Sequence, residues 1–276
     1  MRVPLRTRQP DAGLGRTLWY EFCRWTVRLL YWLLYRPIVS GAENVPARGP
    51  LLLAANHQSY IDPPFVCLYI ERHTSFVARA GLFKSRFFGW LIDSLNATPV
   101  KEEGSDAAAI KEVLRRLGRG HAVIIFPEGS RCEDGSMDEF KRGVALLVKK
   151  AKCPVVPVAL EGCFDAFPRG QHPRVVGKRI GLRYGTPISP DELFADGADA
   201  GLQRLARDVD DLRLKLRAEM RAATGGRFPP AGPGDAPCWQ KTKRPAARQG
   251  DSVAGDAAGE KEVRGSVTEA QANDGA

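Results

Sequence analysis

Two short polar clusters in this chain have the residue types and order that proton transfer and anion binding require. The first is Asn56-His57-Gln58-Ser59-Tyr60-Ile61-Asp62-Pro63. A histidine titrates near neutral pH and can serve as a general base. It works better when a carboxylate holds one ring nitrogen. The other nitrogen is then the acceptor, and the cation formed on proton capture is stabilised. Asp62, five residues on, reaches His57 if the chain turns between them. The same residues also suit a plain turn, with Asp62 as a helix N-cap and Pro63 in the first turn. Ser59 offers a hydroxyl, but it lacks the glycine pattern of a nucleophile elbow.

The second cluster is Phe126-Pro127-Glu128-Gly129-Ser130-Arg131. Gly129 permits positive φ or close backbone approach. Arg131 carries a planar fork suited to bidentate phosphate contact. Glu128 can bond a substrate hydroxyl or hold Arg131. A turn with solvated charges is the plainer reading. Between the clusters, Lys101 follows Thr98-Pro99-Val100 and can pair with a phosphate or belong to a solvated run with Glu102 and Glu103. Phe140-Lys141-Arg142-Gly143 precedes a helical stretch, where basic side chains and a helix N-terminus can attract an anion.

Both clusters directly follow buried strands, and ligands of open α/β sheets gather at the carboxyl ends of strands. The strand before the first is Leu51–Ala55, and the strand before the second is Ala122–Phe126. Further strands are expected at Ser75–Ala78, Thr98–Val100 and Val155–Leu160, with edge strands within Arg174–Tyr184. Helical stretches are expected at Phe65–Glu71, Phe83–Leu95, Ser105–Leu117, Arg142–Lys150 and Leu202–Arg221. The alternation predicts an α/β fold with a central, mostly parallel sheet flanked by helices. Pro157 inside a strand predicts a bulge or a sheet edge near the site.

The 276 residues are 43% hydrophobic, which suits one α/β domain with residues to spare. Four segments are expected: a disordered basic N-terminus (1–13), a membrane-interface helix (14–36), the main domain (37–224) and a disordered tail (225–276). In the helix, Glu21, Arg24 and Arg28 make one polar stripe on an otherwise apolar, aromatic surface. A membrane span would bury that stripe. An interfacial helix keeps the charges at the headgroups and sinks the aromatics. The tail holds no Leu or Ile and cannot bury enough apolar area to offset chain entropy.

The formal net charge is +9, and the excess precedes the tail. A basic excess suits nucleic acid, an anionic membrane or an anionic substrate. No zinc-finger spacing, RNP-like stretch or Gly-rich phosphate loop is visible, so nucleic acid is not expected. The six cysteines show no paired spacing and predict reduced thiols. No signal-peptide pattern is visible. These features together predict the cytoplasmic face of a membrane, as a peripheral or monotopic protein.

The ordered pair of clusters, about 65 residues apart, resembles the glycerolipid acyltransferase family. More closely, it resembles the 1-acylglycerol-3-phosphate acyltransferase branch. Gly41-Ala42-Glu43-Asn44-Val45-Pro46 adds to the likeness, which covers roughly residues 38–190. The resemblance implies that His57 deprotonates the sn-2 hydroxyl of the lysolipid and Asp62 orients and stabilises it. The acyl group would come from acyl-CoA or acyl-carrier protein, giving phosphatidic acid. Glu128, Gly129, Ser130 and Arg131 would bind the glycerol phosphate, with Arg131 on the phosphate itself. Lys101 stands where the family usually has an arginine, which leaves open another acceptor such as a lyso-aminolipid. No metal or prosthetic group is implied. A catalytically silent lipid-binding protein and a lipid hydrolase are the readings from other classes. An intact His57–Asp62 pair speaks against the first, and the lack of a serine with its own base against the second.

Overall fold

The computed structural model describes residues 12–100 and 105–240. Among them, seven strands form one sheet. They are β1 (Ile38–Ser40), β2 (Leu51–Ala55), β3 (Thr74–Arg79), β4 (Ala97–Val100), β5 (Ala122–Ile125), β6 (Val155–Glu161) and β7 (Gly181–Tyr184). Their order is β1-β7-β6-β2-β5-β3-β4, and every pair is parallel except β6 with β7. The helices are α1 (Leu14–Tyr35), α2 (Asp62–Cys67), α3 (Arg86–Ser94), α4 (Ser105–Leu117), α5 (Gly143–Ala151), α6 (Cys163–Ala166), α7 (Pro190–Leu193) and α8 (Ala198–Ala223). The expected α/β architecture is the one observed.

The continuous apolar run of β2 follows from its place. It lies between β5 and β6 and is buried along its whole length. Leu51, Leu53 and Ala55 pack in one layer with α2 and the end of α1. Leu52 and Ala54 pack in the other layer with α4, α5 and α8. A strand covered on both faces has no need of alternating polar residues. The expected edge strand β7 is instead second in the sheet, because the short β1 pairs outside it. Pro157 also lies well inside the sheet. Val155 faces Ile188 while Val158 faces Tyr184, so the partner segment carries one residue more across the proline. That is the anticipated bulge, and it spares the ladder a donor Pro157 lacks.

Helix α1 turns its polar stripe the other way from expectation. Glu21 and Arg24 are buried against the domain. Arg24 donates to Glu21 at 2.6 Å and to the carbonyl of Ile70. His73, also buried, sits 2.9 Å from Glu21. Arg28 lies over the rings of Trp25 and Tyr69. The solvent-facing side carries Leu18, Phe22, Trp25, Leu29, Trp32 and Leu33, all half exposed or more. Arginine and glutamate can be buried here because they pair with each other and with a backbone carbonyl. Helix α3 extends this apolar surface. Trp19 donates to Ser94 at 2.9 Å and its ring lies 5.7 Å from Trp90, which is exposed together with Phe87. No helix among the described residues is long and apolar enough to cross a membrane.

The disorder expected from Gly225 begins too early. Residues 225–240 pack against α8, and the remainder of the tail lies outside the described residues, as do residues 1–11. Phe228 is buried with Leu216 and Met220. Arg213 bonds Asp210, Glu161 and the carbonyl of Gly234. Arg217 bonds Glu161, Asp235 and the carbonyl of Pro230. The backbone N–H of Cys238 returns to Asp210 at 2.6 Å. Few apolar residues are needed, because α8 supplies three arginines whose forks match this segment's carbonyls and carboxylate. Arg213→Ala should therefore cost about 3–5 kcal/mol, since it leaves Asp210 buried without its cation and Glu161 with Arg217 alone. Arg204, on the exposed side of α8 with Glu192, is the control. Urea unfolding should shift its midpoint strongly for Arg213→Ala and hardly at all for Arg204→Ala.

Candidate active site

Register brings the two polar clusters together. Ala54 pairs with Ile125 on adjacent parallel strands, so β2 and β5 end side by side. The chain leaves β2 through Asn56, whose amide donates to and accepts from the backbone of Leu160 on β6. That extends the ladder by one residue and fixes the direction in which His57 departs. The imidazole of His57 then stacks on Phe126, with ring centroids 4.0 Å apart.

Asp62 closes the turn. Its Oδ2 accepts from His57 Nδ1 at 2.8 Å and from the backbone N–H groups of Gln58 and Ser59, both at 2.6 Å. The carboxylate is fully buried, while the His57 side chain keeps 18% of its surface in solvent. A carboxylate only accepts, so Nδ1 carries the proton and Nε2 is left as the acceptor. The turn reading and the chemical reading are thus one structure. Asp62 opens α2 without capping it, because its bonds run backward into the turn. The Cys163 thiol lies against the same carboxylate. Burial, and then the charge of Asp62, holds that thiol protonated, with its pKa well above the usual value.

Gln58 fastens the turn to the rest of the domain. Its carbonyl oxygen accepts from the N–H groups of Cys163 and Phe164, and its amide donates to Gly135. Ser59 gives its hydroxyl to the carbonyl of Phe167 at 2.7 Å, so its bond is structural. The side-chain role of Gln58 was not read from sequence. Only its place inside the cluster hinted at it.

Glu128 holds backbone on two sides. Its carboxylate accepts from the N–H of His57 at 2.6 Å and from the N–H of Asp138 at 2.8 Å. Both oxygens are thereby engaged with backbone N–H groups. Burial pushes the carboxyl up to about 8, against the pull of those two N–H donors. Gly129 has φ +76°, and a Cβ there would come within 2.3 Å of Lys141 Cε. Positive φ and the covering lysine together account for glycine. Ser130 is exposed on the same loop. The guanidinium of Arg131 lies 3.4 Å from the centre of the Tyr60 ring. The next residue, Cys132, donates its N–H to the carbonyl of His57 at 2.8 Å. His57, Asp62, Glu128, Gly129 and Arg131 therefore meet in one region, and Lys101 lies outside the described residues.

Residues 36–161, which contain both clusters, match the family model described as Acyltransferase. The likeness to acyltransferases is shown over that segment. Its relatives include a chloroplastic 1-acyl-sn-glycerol-3-phosphate acyltransferase of Brassica napus, 30% identical over 49% of this chain and 40% of that protein. A 1-acyl-sn-glycerol-3-phosphate acyltransferase of Bacillus subtilis is 26% identical over 67% of this chain and 94% of its own length. The crystal structure of the 1-acyl-sn-glycerophosphate acyltransferase of Thermotoga maritima superposes with a TM-score of 0.58. It is 26% identical and covers 71% of this chain and 80% of that one. The chain spans about two fifths of the length of the chloroplast relatives it matches.

The raised pKa of Glu128 has a consequence for stability. Its folded-state value lies above that of the unfolded chain. Between roughly pH 4.5 and 8 the native state therefore holds the extra proton, and stability falls as pH rises. Glu128→Gln removes that titration. Its melting temperature should decline less than that of the wild type between pH 5 and 8. Its kcat should still drop roughly 10–100-fold, because the His57 turn loses an anchor. Thermal melts across pH, paired with rates, test both parts. Parallel pH slopes for the two proteins would contradict the assignment.

Proposed function

We propose that this acyltransferase moves a fatty acyl group from a thioester to the sn-2 hydroxyl of 1-acylglycerol-3-phosphate, making phosphatidic acid. The observation that carries the reading is the His57–Asp62 pair at 2.8 Å, tied through Glu128 and Cys132 to the loop bearing Arg131. A base for a hydroxyl and a cation for a phosphate sit on two fastened loops.

The chemistry follows from that geometry. Nε2 of His57 takes the proton of the acceptor hydroxyl, and Asp62 stabilises the resulting imidazolium. The alkoxide oxygen attacks the thioester carbonyl. A C–O bond forms, the C–S bond breaks, and the departing thiolate takes back the proton from His57. No acyl-enzyme is required. Arg131 receives the phosphate of the acceptor as a charge-assisted pair. The parts are side chains of this chain and the donor's own thioester, with no metal or prosthetic group called for. Acyl-CoA and acyl-carrier protein both supply such a thioester.

The apolar plate of α1 and α3 supports a membrane surface as the source of the acceptor. Contiguous exposed aromatics of this kind mark membrane or protein contacts, and Trp at an interface is favourable. The plate is close to the chemistry. Tyr31 of α1 donates its hydroxyl to the carbonyl of Ile61, next to Asp62. The membrane face implied is the one where the thioester donors are made, with the protein peripheral or monotopic.

His57→Ala should lower transfer by roughly 10²–10⁴-fold, the range for a lost general base, in a protein that stays folded. Purified protein, a radiolabelled acyl thioester and a panel of lysolipids make the assay. Near-full activity of His57→Ala would remove the mechanism, and a wild type inactive on every lysolipid would favour a silent lipid-binding protein. For the plate, replacing Trp25, Trp32 and Trp90 together by Ser should release the protein from sedimenting anionic vesicles. Undiminished co-sedimentation would place the contact elsewhere.

A further inference from the structure

One aromatic contact at the site joins the two loops: Arg131 lies over the ring of Tyr60. Tyr60 lies three residues after His57 and two before Asp62, inside the catalytic turn. Its ring is 43% exposed, so it is not there to fill the core. The guanidinium carbon of Arg131 sits 3.4 Å from the ring centre. At that distance only a face-to-face approach avoids overlap, since a tilted guanidinium would drive a nitrogen into the ring. On its flank, Tyr60 meets Phe167, with ring centroids 5.6 Å apart. Phe167 is itself tied to the turn through the Ser59 hydroxyl.

This stack fixes more than one angle. With one face covered, the guanidinium plane lies parallel to the ring, and its N–H donors radiate in that plane. Arginine held this way presents a rigid fork, where a solvated arginine would sample many rotamers. Because Tyr60 and His57 share one turn, the fork is also held at a set distance from Nε2.

We infer that Tyr60 is a specificity-determining residue: it holds Arg131 so that an acceptor's phosphate and its hydroxyl are placed together, the hydroxyl at His57. The inference rests on the proposed reading that Arg131 receives the phosphate. Tyr60 touches neither reacting atom, so its effect is on positioning and on acceptor choice.

The test compares the full chain as wild type, Tyr60→Leu, Tyr60→Phe, Arg131→Lys and the Tyr60→Leu/Arg131→Lys pair. Acceptors are lysophosphatidate and the monoacylglycerol of the same acyl chain, which lacks the phosphate, in mixed micelles. Tyr60→Leu should raise KM for lysophosphatidate roughly 3–30-fold, the range of an aromatic–cation contact, with a small change in kcat. Its effect on monoacylglycerol should be much smaller. Tyr60→Phe, which keeps the ring, should restore the wild-type KM. The pair should be no worse than Arg131→Lys alone, since both changes remove one contact.

Different failures separate the two claims. If the wild type favours lysophosphatidate but Tyr60→Leu leaves its KM unchanged, the role of Tyr60 is wrong and the phosphate reading stands. If the wild type and Arg131→Lys treat the two acceptors alike, the phosphate reading fails and takes the inference with it. A Tyr60→Leu protein that loses kcat equally on both acceptors, with a lowered melting temperature, would show a structural role only and overturn the inference.

Discussion

A single carboxylate oxygen organises the candidate site at the end of the sheet. Oδ2 of Asp62 draws in three donors at once: the imidazole of His57 and the N–H groups of Gln58 and Ser59. The group is fully buried, and a buried carboxylate is costly unless donors surround it. Those donors come from consecutive residues, so the solvation of Asp62 and the shape of the turn are one requirement. The chain from Gln58 to Asp62 has little freedom left. His57 is then presented with one nitrogen held and 18% of its side-chain surface in solvent. A different spacing between the histidine and the aspartate would have to give up either the ring contact or the two amides.

The second cluster is built onto the first, not beside it. Glu128 receives the N–H of His57, and the carbonyl of His57 receives the N–H of Cys132. The peptide units flanking the base are thus both held by the loop that carries Arg131. Glu128 spends its two oxygens on backbone amides, and so holds the geometry of the turn. Burial of such a carboxylate costs stability, and the site retains it because no apolar residue can receive two N–H groups. The same economy explains Gly129. Its backbone turns through positive φ, and the space where a side chain would stand is filled by Lys141.

Much of this was legible in sequence, and the part that was not has a physical reason. Leu51–Ala55 and Ser105–Leu117 read correctly to the residue, because one is an apolar run at the sheet centre and the other a clear helical period. His57 and Asp62 were readable as a pair because the chemistry demands those types at a turn. The two backbone donors of Glu128 are not legible, since N–H groups carry no sequence signature. Residues 225–240 read as disordered because apolar content is low, yet they are held by Arg213, Arg217 and Arg221 from a helix already expected. Composition counts what a segment buries by itself. It does not count the ion pairs offered by a neighbour.

Helix α1 shows the same limit more sharply. Its charged stripe was correctly placed on one face, but periodicity cannot say which face meets the protein. The answer lies in His73 and the carbonyl of Ile70, which give Glu21 and Arg24 buried partners on the domain. Once the charges are satisfied inward, the aromatics have only the outside. The outward face is then apolar as a consequence of how the helix docks. On the proposed reading, an acyltransferase whose acceptor is a membrane lipid gains from this arrangement in a specific way. The residue that turns inward one helical step from that face, Tyr31, donates to Ile61 beside Asp62. On the proposed reading, whatever seats the plate on lipid also seats the turn. The lysolipid then has to move along the surface to reach His57, and need not leave it.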